Sequence, residues 1–166
     1  MTTFTLVHVV LSLVGIGSGL VVLYGMLRNE RMDSGTALFL ATTVATSVTG
    51  FFFPVHEFLP SHAVGIVSLA VLAVAIVARY VRHLAGGWRS AYVINSAIAL
   101  YLNVVVLVIQ LFRKVAALKA LAPTQSEPPF LVTQIAVMGL FVGLGILAVK
   151  RFRVSPPRTE TLAKAA

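Results

Sequence analysis

Five long stretches of the chain contain no Asp, Glu, Lys or Arg, and apolar side chains dominate each of them. They cover residues 1 to 27, 34 to 56, 58 to 78, 90 to 112 and 128 to 149. A helix needs about 20 residues to cross roughly 30 Å of bilayer hydrocarbon, so each stretch is long enough to span a membrane. Because the backbone must satisfy its own hydrogen bonds in lipid, each span is expected to be helical.

Residues that favour helix ends separate these stretches. Asp33 suits the N-cap of the second helix, and Gly86 and Gly87 suit the end of the third. Pro128 and Pro129 suit the first turn of the fifth helix, where a missing N–H costs nothing. The sequence therefore predicts an all-α integral membrane protein, with five transmembrane helices in one bundle. The predicted spans are residues 4–27, 35–53, 62–84, 89–112 and 130–152, with ends uncertain by about 2 to 4 residues.

The overall composition excludes a soluble domain. Hydrophobic residues make up 58% of the 166 residues and charged residues only 11%, against about 25% charged in soluble domains. The chain contains no cysteine. Disulfides, thiolate metal sites, iron–sulfur clusters and cysteine nucleophiles are thereby excluded.

The basic residues indicate how the bundle is oriented. With the N-terminus outside and the C-terminus cytoplasmic, ten of the thirteen Lys and Arg residues lie on the cytoplasmic side. Only Arg113, Lys114 and Lys119 then lie outside. In the reversed topology only these three basic residues would be cytoplasmic, and the other ten would lie outside. The formal charge of +8 is thus mainly an orientation signal, and no nucleic-acid partner is expected. We expect an integral protein of a bacterial inner (plasma) membrane, with the lipid bilayer as its surroundings.

Residues 1–154 are expected to form one domain, followed by a basic, disordered tail over 155–166, where Pro156 and Pro157 prevent the last helix from continuing. The connection between the fourth and fifth spans is the longest. Residues 114–122 have the spacing of a short helix in the membrane interface, and residues 123–129 read as a stiff polar loop. This loop is a plain connector or a cap over an outward-facing cavity.

Polar residues mark one face of the fourth span. At about 100° per residue, Asn103 and Gln110 share a face with Tyr92, Asn95 and Ser96. An amide at the depth of Asn103 needs a partner from another helix or from water. Thr42, Thr46 and Thr49 form a matching stripe on the second span, so we predict that these two helices pair. The contact either holds the bundle together or lines a polar cavity that opens outward.

The outer side of the bundle collects ionisable groups. The predicted topology places three imidazoles and two carboxylates there, namely His8, His56, His62, Glu57 and Glu127, with Gln110 and Gln134 just inside. The histidines are candidate ligands for a divalent metal or, from opposite sides, for haem b. The alternative is a set of solvated or hydrogen-bonded histidines at a wet interface, and we expect no cofactor.

Two pairs of glycines four residues apart allow close helix packing. Gly15 with Gly19, and Gly139 with Gly143, pack either within the chain or at the seam of a homodimer. No nucleophile elbow, phosphate loop, zinc-protease or dinucleotide motif occurs in the sequence. An enzyme is therefore not expected.

The function predicted from these features is non-enzymatic. A small molecule or ion binds to, or passes through, an outward-opening polar pocket between the second and fourth helices. The expected contact residues are Thr46, Thr49, Asn103, Gln110, Gln134, Glu57 and Glu127. Two other functions stay open: an accessory or assembly subunit of a larger membrane complex, and a membrane redox protein that binds haem or metal through His8, His56 and His62.

Overall fold

The computed structural model describes residues 3–53 and 60–153, with the side chains of Pro60 and Ser61 left out. Its helices are α1 (Thr3–Leu27), α2 (Asp33–Gly50), α3 (Pro60–Ile76, extended by a π-helical turn over Val77–Val81), α4 (Trp88–Lys114), α5 (Ala116–Leu121) and α6 (Pro128–Arg151). No strand occurs in this part of the chain. The all-helical prediction is confirmed, and each long helix begins and ends within about three residues of its predicted span. His56, Glu57 and the predicted tail lie outside the described residues.

Four helices are long and apolar enough to cross a membrane: α1, α3 with its π-helical turn, α4 and α6. These four helices suggest an integral membrane protein. The shorter, more polar α2 is not among them, because it begins with Asp33 and carries five threonines over 18 residues.

The polar side chains of α2 are nevertheless buried within the bundle. Thr36, Thr43 and Ser47 are all less than 10% exposed, and α2 packs against α1 and α3. The Thr42 and Thr49 hydroxyls donate to the carbonyls of Leu38 and Ala45 at 2.7 Å. This back-bonding satisfies their protons within the helix. α2 thus turns its polar side away from the surface of the bundle.

The bundle has two chemically different ends. The end where α1 and α6 finish and α4 begins carries most of the arginines, and we call it the Arg end. The opposite end, where α1 begins and α2 finishes, carries His8, and we call it the His end. α4 lies centrally against α1, α3 and α6, while α6 touches α4 and α1 and leaves most of its surface exposed.

The two glycine pairs differ in their surroundings. A Cβ on Gly19 would lie 2.7 Å from Leu100 and 2.8 Å from Phe39, so α1 approaches its neighbours as closely as a glycine allows. Gly139 and Gly143 have nothing within 4 Å of a Cβ. The first pair therefore packs within the chain, and a homodimer through the second pair stays a prediction.

The start of α2 differs from the sequence prediction. Asp33 is the first helical residue and does not cap the helix, since Met32 holds the N-cap position without a side-chain bond. The Asp33 carboxylate instead accepts a hydrogen bond from Arg79 of the π-helical turn. Arg79 is a stronger partner for this carboxylate than the backbone N–H groups at the start of α2, because it is a buried cation that needs a counter-charge.

The third helix also ends differently from expectation. Its π-helical turn finishes at Val81, and the Leu84 N–H donates to the Ala78 carbonyl at 2.9 Å, with His83 at a φ of 48°. This bond spans one residue more than the 6→1 bond of a Schellman end, and left-handed residues at helix ends are normally glycine. The helix therefore ends before Gly86, with the left-handed backbone carried by His83 and Leu84, whose φ is 60°.

Candidate functional site

A polar seam runs through the interior of the bundle between α1, α2 and α4. We define the seam by His8 and Gly15 of α1, by Asn103 of α4, and by the α2 threonines Thr42, Thr43, Thr46 and Thr49. A Cβ on Gly15 would lie 3.2 Å from the Thr43 hydroxyl, 3.3 Å from that of Thr42 and 3.7 Å from Asn103 Nδ2. The missing side chain of Gly15 thus lets α1 close over the threonines.

His8 and Thr49 form the part of the seam nearest the His end. His8 Nδ1 lies 2.8 Å from Thr49 Oγ1, which in turn lies 2.7 Å from the Ala45 carbonyl. The Thr49 hydroxyl can give its one proton to this carbonyl and accept from Nδ1–H, or give it to an unprotonated Nδ1. In the first arrangement the neutral imidazole keeps its lone pair on Nε2. Phe53 packs edge-on against the ring at 5.0 Å and fixes its plane.

Asn103, Thr43 and Thr46 form the middle of the seam. Asn103 Nδ2 donates to Thr43 Oγ1 over a long 3.4 Å, and Thr43 is fully buried. Thr46 Oγ1 is buried and has no hydrogen-bond partner among the described residues. A buried hydroxyl left unsatisfied costs about 1 to 3 kcal/mol. The middle of the seam therefore contains one unsatisfied hydroxyl and one long amide contact.

An apolar layer closes the seam toward the Arg end. Phe39 and Leu100 meet across α2 and α4 at Gly19, and all are buried. In the opposite direction exposure rises, since Thr43 and Thr46 are buried while Thr49 and His8 are half-buried. The seam is thus closed toward the Arg end, and its side chains are more exposed toward the His end.

A buried ionic cluster lies beyond the apolar layer. The Arg79 side chain is only 4% exposed, bonds the Asp33 carboxylate and lies 5.3 Å from the centre of the Tyr92 ring. The Tyr92 hydroxyl is 3.0 Å from Thr36 Oγ1. The cluster joins α2, α3 and α4, and it places Arg79 in a π-helical turn, a feature often found at functional sites.

This cluster has no counterpart in the sequence prediction, which counts Arg79 only as an orientation signal. Tyr92 belongs there to the polar face of α4, and in the structure it is 1% exposed. The sequence could have indicated this cluster, because Arg79 is a charged residue inside a predicted span, and such a residue normally has a partner. The partner, Asp33, is 46 residues away, and no local pattern names it.

The predicted ligand residues are only partly brought together. Thr46, Thr49 and Asn103 lie in the seam. Gln110 is half-buried about two turns further along α4, and the Gln134 Oε1 atom is buried on α6 without a hydrogen-bond partner among the described residues. Side-chain bonds also link α2 to α4, but the helix packed most closely on α2 is α1, which was not predicted to take part.

Glu127 is held by its own loop. Its carboxylate accepts hydrogen bonds from the Thr124 backbone N–H at 3.1 Å, from the Thr124 hydroxyl at 2.9 Å and from the Ser126 N–H at 3.1 Å. Desolvation raises the pKa of Glu127, but these bonds outweigh it and hold the pKa below its usual range. Glu127 is therefore ionised, and its carboxylate holds the 123–129 loop in place.

The proposed metal ligands either have other contacts or lie outside the described residues. His62 is half-buried and stacks on Phe51, with ring centres 5.7 Å apart. His8 bonds Thr49, and His56 and Glu57 fall between the described ranges. Within those ranges no three His, Asp or Glu side chains gather as a metal site would need.

Fold and site together describe an all-helical membrane protein with a polar seam inside its bundle. Comparison with protein-family models, curated proteins and solved structures finds no match.

Proposed function

We propose that this chain is a non-enzymatic membrane protein of a bacterial plasma membrane that binds or passes a small ion or polar molecule in the seam. In this proposal all five long helices span the bilayer, the N-terminus is outside and the C-terminus is cytoplasmic. The His end then faces outward, and the ligand enters beside His8.

The observation that carries the proposal is the buried hydroxyl of Thr46, which has no hydrogen-bond partner within residues 3–53 and 60–153. It lies on α2 between Thr43, which bonds Asn103, and Thr49, which bonds His8. A bound species would satisfy this hydroxyl and shorten the loose Asn103 contact.

The chemistry of the seam favours a small cation. The protons of Thr42 and Thr49 point to backbone carbonyls, so their oxygens offer lone pairs to the interior. With its proton on Nδ1, neutral His8 adds the lone pair of Nε2. Hydroxyl oxygens and an imidazole nitrogen suit a proton or an alkali ion. Glycine at position 15 places no side chain between α1 and the hydroxyls of Thr42 and Thr43.

Removing the Thr46 hydroxyl is expected to abolish ion binding without unfolding the protein. Thr46→Val keeps the shape of the side chain, and it removes a group that the unliganded bundle does not satisfy. Purified protein is heated in NaCl, KCl or choline chloride at equal ionic strength, and at several pH values. A ligand present at 100 times its Kd stabilises the folded state by about 2.7 kcal/mol, so the wild type should unfold at a higher temperature in the bound ion.

Thr133→Val is the matched control, since Thr133 lies on α6 and donates to its own helix at Pro129. It should keep the ion-dependent shift, whereas Thr46→Val and Asn103→Leu should lose it. Parallel flux measurements in liposomes with a pH-sensitive dye and the same salts test passage. Equal shifts and equal flux in all four proteins would contradict the proposal.

A further inference from the structure

A cavity lies on the surface of the bundle, between α4 and α6. It has a volume of about 410 Å³, within the roughly 300 to 1,000 Å³ of small-molecule sites. Its lining is apolar apart from Tyr101 and Lys150. The two helices approach each other where a Cβ on Gly145 would lie 3.8 Å from that of Ala97. We call this cavity the α4–α6 groove.

The length of the groove matches one leaflet of a bilayer. It extends on α4 from Ile94 to Tyr101 and on α6 from Met138 to Lys150, which is about 10 Å and about 18 Å at 1.5 Å per residue. Half of a hydrocarbon core of roughly 30 Å is about 15 Å. The groove therefore starts at the Arg end and stops near the middle of both helices.

The charges at the Arg end suit an anionic headgroup. Lys150 lines the groove directly and is exposed. Arg89 donates to the carbonyls of Val149 and Phe152 at the end of α6, which places a second cation beside the same groove wall. A lysine at this depth extends its ammonium group to the interface, where lipid phosphates lie.

We propose that the α4–α6 groove binds one acyl chain of an anionic phospholipid from the leaflet at the Arg end, with the headgroup at Lys150. A helix from a second copy that packed here would need a groove along the full length of α6, whereas this groove extends along only about half of α6. The assignment is independent of the polar seam, which shares no residue with the groove.

Lipid retention tests this assignment directly. Protein purified in mild detergent is incubated with dioleoyl phosphatidylglycerol or dioleoyl phosphatidylcholine, and bound lipids are counted by native mass spectrometry. The protein should retain one phosphatidylglycerol, and it should prefer this lipid over phosphatidylcholine by about fivefold in affinity. This factor corresponds to the attraction between one basic residue and an anionic headgroup. Lys150→Gln should remove that preference, and Gly145→Leu, which fills the groove, should reduce retention of both lipids.

Two substitutions on the same helix serve as matched controls. Arg151→Gln removes the same charge one residue away, and Gly143→Leu adds the same side chain where nothing lies within 4 Å. Both should leave retention unchanged. Equal losses in Lys150→Gln and Arg151→Gln would mean a general surface charge effect, and equal losses in Gly145→Leu and Gly143→Leu, with a change of oligomeric state, would assign this face to a second copy. Either result overturns the proposal, and the exposed Lys150 variant stays informative if Gly145→Leu fails to fold.

Discussion

Asp33→Asn is expected to destabilise the protein more than Arg79→Met, although Asp33 is the more exposed partner. The Asp33 side chain is 74% exposed and that of Arg79 only 4%. Removing the carboxylate leaves a buried guanidinium without its counter-charge, which costs about 3 to 5 kcal/mol for a fully buried pair. Because Asp33 is exposed to solvent, we expect about 2 to 3 kcal/mol here, near the value of a hydrogen bond to a charged group.

Arg79→Met removes the charge itself and keeps an unbranched apolar side chain over the Tyr92 ring. Replacing a buried ion pair by apolar groups is often neutral, so the double variant should be about as stable as Arg79→Met alone. Unfolding free energies of the four proteins in mixed micelles form a double-mutant cycle. Additive losses would show that Asp33 and Arg79 are not coupled, and an unchanged Asp33→Asn protein would show that the carboxylate contributes nothing to stability.

Gly19→Leu is expected to separate α1 from its neighbours, whereas Gly17→Leu is expected to be tolerated. A Cβ at position 19 would lie under 3.0 Å from Leu100 and Phe39, while one at position 17 meets nothing within 4 Å. Overpacking of this kind costs about 1 to 3 kcal/mol. The same change at position 17 removes a helix-weakening glycine worth about 1 kcal/mol.

The two glycine variants should therefore change the unfolding free energy in opposite directions. Thermal unfolding in detergent measures both, and circular dichroism reports whether helix content is kept. Equal effects at positions 17 and 19 would contradict the packing of α1 described above, because only one of the two positions lies against other helices.

The helices themselves could be predicted from the sequence because charge and proline mark their ends. Pro128 and Pro129 take the first positions of α6 as expected. The seam was predicted only in part, since Thr46 and Asn103 have polar side chains that reveal their face. The contribution of α1 to the seam was not predicted, because Gly15 and Gly19 have no side chains that would mark it as polar. Both glycines nevertheless share a helical face with His8.

Long-range pairing accounts for the rest of what sequence reasoning missed. Asp33 was predicted to cap α2 because its local sequence favours a cap. Its bond with Arg79 forms only because α3 lies beside the start of α2 in the fold. The α4–α6 groove likewise has no sequence signature, because it is the space left where two apolar helices touch at Ala97 and Gly145. Such features follow from packing and cannot be read from periodicity.

The proposed function requires α2 to cross the membrane with its polar face covered by α1 and α4. The chain has no cysteine, so a single introduced thiol reports its own position. Ser34→Cys and Phe52→Cys place one at each end of α2, and both positions are exposed. Ser126→Cys, in the exposed loop before α6, controls for accessibility on the Phe52 side.

The deciding measurement is labelling of these variants in intact cells with a membrane-impermeant maleimide. If α2 spans the bilayer and the N-terminus is outside, Cys at position 52 is labelled at once and Cys at position 34 only after the membrane is permeabilised. Labelling of both positions from the same side would place α2 outside the hydrocarbon, and the polar seam would then have no membrane to cross.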